Sequence, residues 1–186
     1  MITSDAHEGM LRAIKQEFPD VPWQRCQFHF SRNILDKSPK KYQAGLATEL
    51  NEMFNCETVE LARRKRDQIL ADYRDVAETA MGCLENGFES CMTVMNLPKG
   101  MRRYYRTSNH IERVNKELKR RSKVIGIFPN EASLVRLMGS VLIEENARNL
   151  SSRKIFSKES YAELLKSDVK NKLVVIAKEQ EALLAV

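Results

Sequence analysis

Glycine and proline are both scarce in this chain, seven and five among 186 residues. No repeat or low-complexity tract appears. Cysteine is sparse as well. Cys26, Cys56, Cys83 and Cys91 show no framework spacing, and a chain of this length does not need disulfide staples, so free thiols in a reducing compartment are expected. No apolar run approaches the roughly 18–20 residues that cross a membrane. The opening Met1-Ile2-Thr3-Ser4-Asp5 lacks the basic-then-apolar order of a secretory signal, which leaves a cytoplasmic protein as the expectation. What is present suits a globular chain: 42% hydrophobic residues can bury a core, and 30% charged residues can solvate its surface. The net charge of +6 matters through its placement more than its size.

Helical periodicity dominates. Met10, Leu11, Ile14 and Phe18 make a first stripe over 6–18, broken by Pro19-Asp20-Val21-Pro22. Tyr42, Leu46, Leu50 and Phe54 repeat every four residues. Val59 to Val76 and Met81 to Met95 carry two further stripes. A basic helix is expected over about 109–123, and Pro129-Asn130 opens a long apolar helix. Two weaker patterns follow, near 157–166 and 169–184. Only two stretches read as strand: Ile2 to Asp5, ending directly in a helix, and Trp23 to Phe30, where Cys26, Phe28 and Phe30 recur at period two.

Two acids stand at helix starts. Asp5 lies at a strand-to-helix junction, where a sheet edge could hold its carboxylate toward a metal ion. With Glu8 three residues on, it also fits a capping box. Glu112 follows Asn109 by three and admits the same capping interpretation, or an ion pair to Lys116 worth about 0.2–0.5 kcal/mol. Ile111, Val114, Leu118 and Ser122 share one face of that helix, expected to be packed. Cys26 and His29 form a Cys-x-x-His pair, but structural zinc wants two such pairs and no second one has suitable spacing. From Lys99 to Lys123, ten basic residues face only Glu112 and Glu117, with Tyr104 and Tyr105 interleaved. Solvation alone does not require such an excess, and it points to nucleic acid. Arg63-Arg64-Lys65-Arg66 is flanked by acids and reads as surface.

The run Thr107-Ser108-Asn109-His110-Ile111-Glu112-Arg113-Val114-Asn115-Lys116-Glu117-Leu118, with Val124 to Asn130 after it, resembles the signature of Mutator-type bacterial insertion-sequence transposases. Thr3-Ser4-Asp5-Ala6-His7-Glu8-Gly9 is similar to the same family's second-aspartate motif, and Trp23 to Phe30 to its Cys-x-x-His segment. The three occur in the family's order and cover about residues 1–150; the tail after Asn149 resembles it less. The resemblance implies a metal-dependent DNA transposase of the Asp-Asp-Glu type with an RNase H-like catalytic domain. Asp5 would be the second acid and Glu112 the third, both metal ligands, with Cys26 and His29 in support. Arg102, Arg103, Arg106, Arg113, Lys116, Lys119, Arg120, Arg121 and Lys123 would meet DNA.

The expected fold is therefore mainly α: the C-terminal remnant of an RNase H-like α/β domain, with an all-helical insertion and one or two short strands. Residues 1–30 would be partial core, 31–98 the insertion, 99–150 the glutamate-bearing basic helix and its successor, and 151–186 a helical tail. Only four residues precede Asp5, so the first acid has no candidate, and this chain alone is expected to be inactive. Mg²⁺ or Mn²⁺ is the expected cofactor, and transposon-end and target DNA are the expected partners, with a homo-oligomer also allowed. Two rivals remain: a non-enzymatic DNA-binding remnant, and a helical interaction module in which Asp5 and Glu112 are only caps.

Overall fold

A computed structural model describes residues 1–151 and 155–183. It is mainly helical, with two short strands, β1 (Ile2–Ser4) and β2 (Trp23–Arg25), flanking helix α1 (Glu8–Glu17). Helices α2 (Gln27–Asp36), α3 (Lys40–Phe54), α4 (Val59–Tyr73) and α5 (Glu78–Met92) follow, then a 3-10 turn at Thr93–Asn96. Next come α6 (Lys99–Tyr105), α7 (Asn109–Ile125), α8 (Glu131–Ser151), α9 (Lys158–Leu164) and α10 (Ser167–Leu183). The last expected helix reaches Leu184, which lies outside the described residues. The chain forms two compact units, Met1–Thr107 with Lys158–Val186, and Ser108–Ser157.

In the first unit the core fills the space among α2 to α5. Phe30, Ile34, Leu46, Leu50, Met53, Ile69, Leu84 and Phe88 are almost wholly excluded from water. Burial of large apolar side chains such as these, worth about 1.5–3 kcal/mol each, is what holds the helices together. Cations seal the outside: Lys65 bridges from α4 to Glu49 (3.7 Å) and Glu52 (2.9 Å) on α3, and Arg63 forms a two-point bond to Glu89 on α5 at 3.0 Å. Arg66 lies over the Phe88 ring. The run expected to be surface lies at the surface, where Arg63, Lys65 and Arg66 pair with acids and Arg64 is exposed.

β1 and β2 are parallel, with Ile2 opposite Trp23 and Ser4 opposite Arg25. Two strands this short do not stand alone. Gln24, fully buried, secures them: its amide donates to the Cys91 carbonyl (2.7 Å) and accepts from the Val94 amide (2.6 Å). Gln27 donates to the same Cys91 carbonyl. Gln180 of α10 closes the outer edge of β2, accepting from the Trp23 amide and donating to the Trp23 carbonyl, each at 2.9 Å.

The strand expected over Trp23 to Phe30 stops at Arg25, and Gln27–Asp36 is helical instead. Its partner β1 has run out: the Cys26 amide takes the Ser4 carbonyl (2.7 Å), and the Gln27 amide turns to Arg106 (2.9 Å). Beyond that point Cys26, Phe30 and Ile34 are buried at a spacing of four, while Phe28 is half exposed, so the helical period governs.

The second unit is a helical hairpin, α7 and α8, with a single buried residue, Val141, among the described residues. Gly126 ends α7 at φ +71° and ψ −77°, a γ-turn in which the Ile127 amide donates to the Ile125 carbonyl at 2.9 Å and whose positive φ favours glycine. The face of α7 expected to pack is only partly covered: Val114, Leu118 and Ser122 are half-buried, but Ile111 is 56% exposed. A two-helix unit has too little opposing surface to bury a whole stripe.

Gln24→Met keeps the volume but orphans the Val94 amide and removes a donor from the Cys91 carbonyl. A decrease of about 1–3 kcal/mol in urea unfolding stability is expected, with unchanged helix content by circular dichroism.

Candidate active site

Asp5 is exposed and directly follows the last residue of β1. Its backbone is fixed by a relay: the Trp23 indole N–H donates to Ser4 Oγ (2.8 Å), and that hydroxyl donates to the Asp5 carbonyl (2.8 Å). Asp5 is not a helix cap. His7 holds the N-cap position of α1, so Asp5 lies two residues too early to reach the free amides of the first turn. The capping-box alternative therefore falls for Asp5, and its carboxylate faces solvent at the carboxyl end of a parallel strand.

Cys26 and His29 begin α2. Cys26 is wholly buried, and its amide bond to Ser4 joins the end of β2 to the residue before Asp5. His29, on the first turn, sets its ring edgewise to Phe28 at 5.5 Å. Burial pushes the nearby Cys91 thiol well above its usual range, against the weaker opposite pull of the Arg25 charge.

Glu112 lies in the first turn of α7. Ser108, not Asn109, is the N-cap, so Glu112 comes one position later than a capping box requires. Its carboxylate accepts from Ser108 Oγ at 2.6 Å, which steadies it at the helix start. Asp5 belongs to the first unit and Glu112 to the second.

The nine basic candidates divide by engagement. Arg102 donates to the Leu97 carbonyl (2.9 Å) and the Glu57 carbonyl (3.3 Å); Arg106 donates to the Asn55 side chain (2.8 Å). Burial lowers the pKa of both guanidinium groups, and Arg102 adds repulsion on Arg106. Arg120 and Arg121 share Glu117, at 2.7 and 2.9 Å, and Arg121 also reaches Glu144 of α8 at 3.6 Å. Arg103, Arg113, Lys116, Lys119 and Lys123 are exposed and make no side-chain hydrogen bond or ion pair among the described residues. Sequence alone counted charges and could not see which were already engaged.

A family model described as "Transposase, Mutator family" matches residues 1–151. The chain belongs to the Mutator family of transposases. It is 38% identical over 146 residues to the transposase for insertion sequence element IS256 in transposon Tn4001 of Staphylococcus aureus, a match covering 77% of this chain and 37% of that protein. Against the transposase for insertion sequence element IS1081 of Mycobacterium tuberculosis, identity is 31% over 159 residues, covering 86% of this chain and 38% of the relative. The transposase for ISRM5 of Rhizobium meliloti shows 28% over 163 residues, or 88% and 41%. The chain thus spans well under half the length of these curated relatives. Asp5, the Cys26–His29 pair and Glu112 all fall inside the family match. Gln180, which closes β2, falls after it. Among the described residues, no helix of this Mutator-family chain is long and apolar enough to cross a membrane.

Bonds from Arg120 and then Arg121 hold the Glu117 carboxyl down at about 2. Because the folded pKa is depressed, the stabilisation is present above the ordinary value of 4.5 and disappears as pH falls toward 2. Carboxyl-carbon NMR titration should give a Glu117 midpoint near 2. In an Arg120→Ala/Arg121→Ala chain the midpoint should return to the ordinary carboxylate range.

Proposed function

We propose that this chain forms part of the catalytic region of an Asp-Asp-Glu transposase, which cuts and joins DNA as an insertion sequence moves. In this reading Asp5 is the second acid and Glu112 the third. The surrounding fold is part of an RNase H-like core (1–30 and 99–150) interrupted by a helical insertion (31–98) and followed by a helical tail (151–186). The observation that carries the reading is the position of Asp5: an exposed carboxylate just past the carboxyl end of a parallel strand, on a backbone fixed through Ser4 and Trp23. Open α/β sheets bind ligands outside the carboxyl ends of their strands. Transposases act on DNA, and strand joining is an in-line displacement at phosphorus.

The donor set suits a hard divalent cation, because Asp5 and Glu112 offer carboxylate oxygens, which Mg²⁺ and Mn²⁺ prefer. Such ions, when bound, activate the attacking oxygen and stabilise the leaving one. The chain's own residues supply the rest. Ser108 holds one oxygen of Glu112 and so limits its rotation. Cys26 ties the two strand ends beneath Asp5, and His29 supports the same corner. Arg103, Arg113, Lys116, Lys119 and Lys123 neutralise phosphates along DNA, an interaction that gives affinity without sequence choice.

Two measurements test this. Titrating Mn²⁺ into isotope-labelled chain should broaden amide signals around both Asp5 and Glu112, and Asp5→Asn should abolish the broadening at both places. Broadening at only one would mean that the acids share no metal site, leaving the DNA-binding reading alone. Separately, log affinity for duplex DNA should fall steeply with log salt. Replacing Arg113, Lys116 and Lys119 with alanine should flatten the slope by about 0.9 for each phosphate no longer neutralised. No affinity at low salt would point to a plain interaction module.

A further inference from the structure

Arg25 is a half-buried cation whose charge the fold leaves unanswered. It ends β2 directly opposite Ser4, the residue before Asp5. Adjacent parallel strands lie about 4.8 Å apart, so its backbone borders that of the Asp5 corner. Its guanidinium lies 4.5 Å over the Phe30 ring. Gly87 of α5 leaves room for this arrangement: a Cβ there would collide with the Phe30 ring and come within 2.7 Å of Arg25 Nη1. The planar group is therefore held between an aromatic face and a helix backbone. Yet none of its N–H groups donates to a protein acceptor, and it forms no ion pair, among the described residues. Nearby Glu89 is already taken by Arg63 and Arg66.

A cation–π interaction is worth about 0.5–2 kcal/mol and satisfies none of the five guanidinium donors. A fixed fork of donors without an acceptor matches the two oxygens of a phosphate. Arg25 also lines an open cleft of about 640 Å³ whose wall includes Ala6, the neighbour of Asp5, together with Trp23, Asn86 and Ser90. We propose that Arg25 is a phosphate-binding residue that holds the DNA backbone in this cleft beside Asp5. The inference rests on the reading of Asp5 as an acid of the DNA-cutting site. It adds a phosphate site in the first unit, apart from the basic face of α7. Arg63, which also lines the cleft, is neutralised by Glu89 and takes no part.

The test is run in chelator, so it does not depend on metal binding at Asp5. Duplex affinity is measured between about 50 and 200 mM salt. Arg25→Gln should lower the salt slope by about 0.9, the value of one neutralised phosphate, and Arg25→Lys should keep it. An unchanged slope in Arg25→Gln overturns the proposal, as does an equal decrease in both variants, which would assign the effect to packing on Phe30. The unaltered chain gives a reading that no folding defect can obscure. Phenylglyoxal modification of Arg25, followed by peptide mass spectrometry, should be suppressed by duplex DNA, and modification unaffected by DNA sinks the idea. If Mn²⁺ broadening fails while Arg25 moves the slope, the acids are misread and the phosphate site stands. If the broadening holds and Arg25 is silent, only the phosphate site falls.

Discussion

One buried amide holds the candidate site in place. Gln24 is the middle residue of β2, and both ends of its side-chain dipole are satisfied by backbone where α5 passes into the 3-10 turn. Without it, a two-stranded sheet of three residues a strand would have little to fix it against the helices. With it, β2 is set against α5, β1 is set against β2, and the backbone of Asp5 inherits that order through Ser4 and Trp23. A side chain with both donor and acceptor is needed here, because the helix end presents a free carbonyl and a free amide side by side.

Electrostatics separates the two units in character. In the first, cations act as fasteners: Lys65 and Arg63 join neighbouring helices, and Arg102 and Arg106 donate to backbone and amide oxygens. In the second, Glu117 gathers Arg120 and Arg121, while Arg113, Lys116 and Lys119 extend outward along α7. The basic excess seen in the sequence is thus a mixture of internal ties and open charges, and only the open charges can meet a polyanion at full strength.

Much of the helical layout was legible in the sequence because stripes such as Leu46–Leu50 and Leu84–Phe88–Cys91 bury large residues at helical spacing. The extent of β2 was not. Cys26, Phe28 and Phe30 alternate, but the period of two is accidental once β1 has ended and no partner remains. The motif residues Asp5, Cys26, His29 and Glu112 could be named from resemblance, whereas their supports could not. Ser108 as N-cap, the Gln24 anchor and the unanswered charge of Arg25 depend on neighbours 60 or more positions away or on the choice of one cap over the next. Arg25 stood within the Trp-Gln-Arg-Cys run, and nothing local distinguished it from any surface arginine.

The pairing of Gln180 with Trp23 joins residues 157 apart, across nearly the whole chain. At a synthesis rate of about 5–20 residues per second, roughly 8 to 30 seconds pass between the appearance of one partner and the other. During that interval the outer edge of β2 presents an amide and a carbonyl to any extended peptide nearby. The side-chain amide of the last helix therefore acts as a late closure. It leaves the strand edge open to other pairings until α10 has been made and docks.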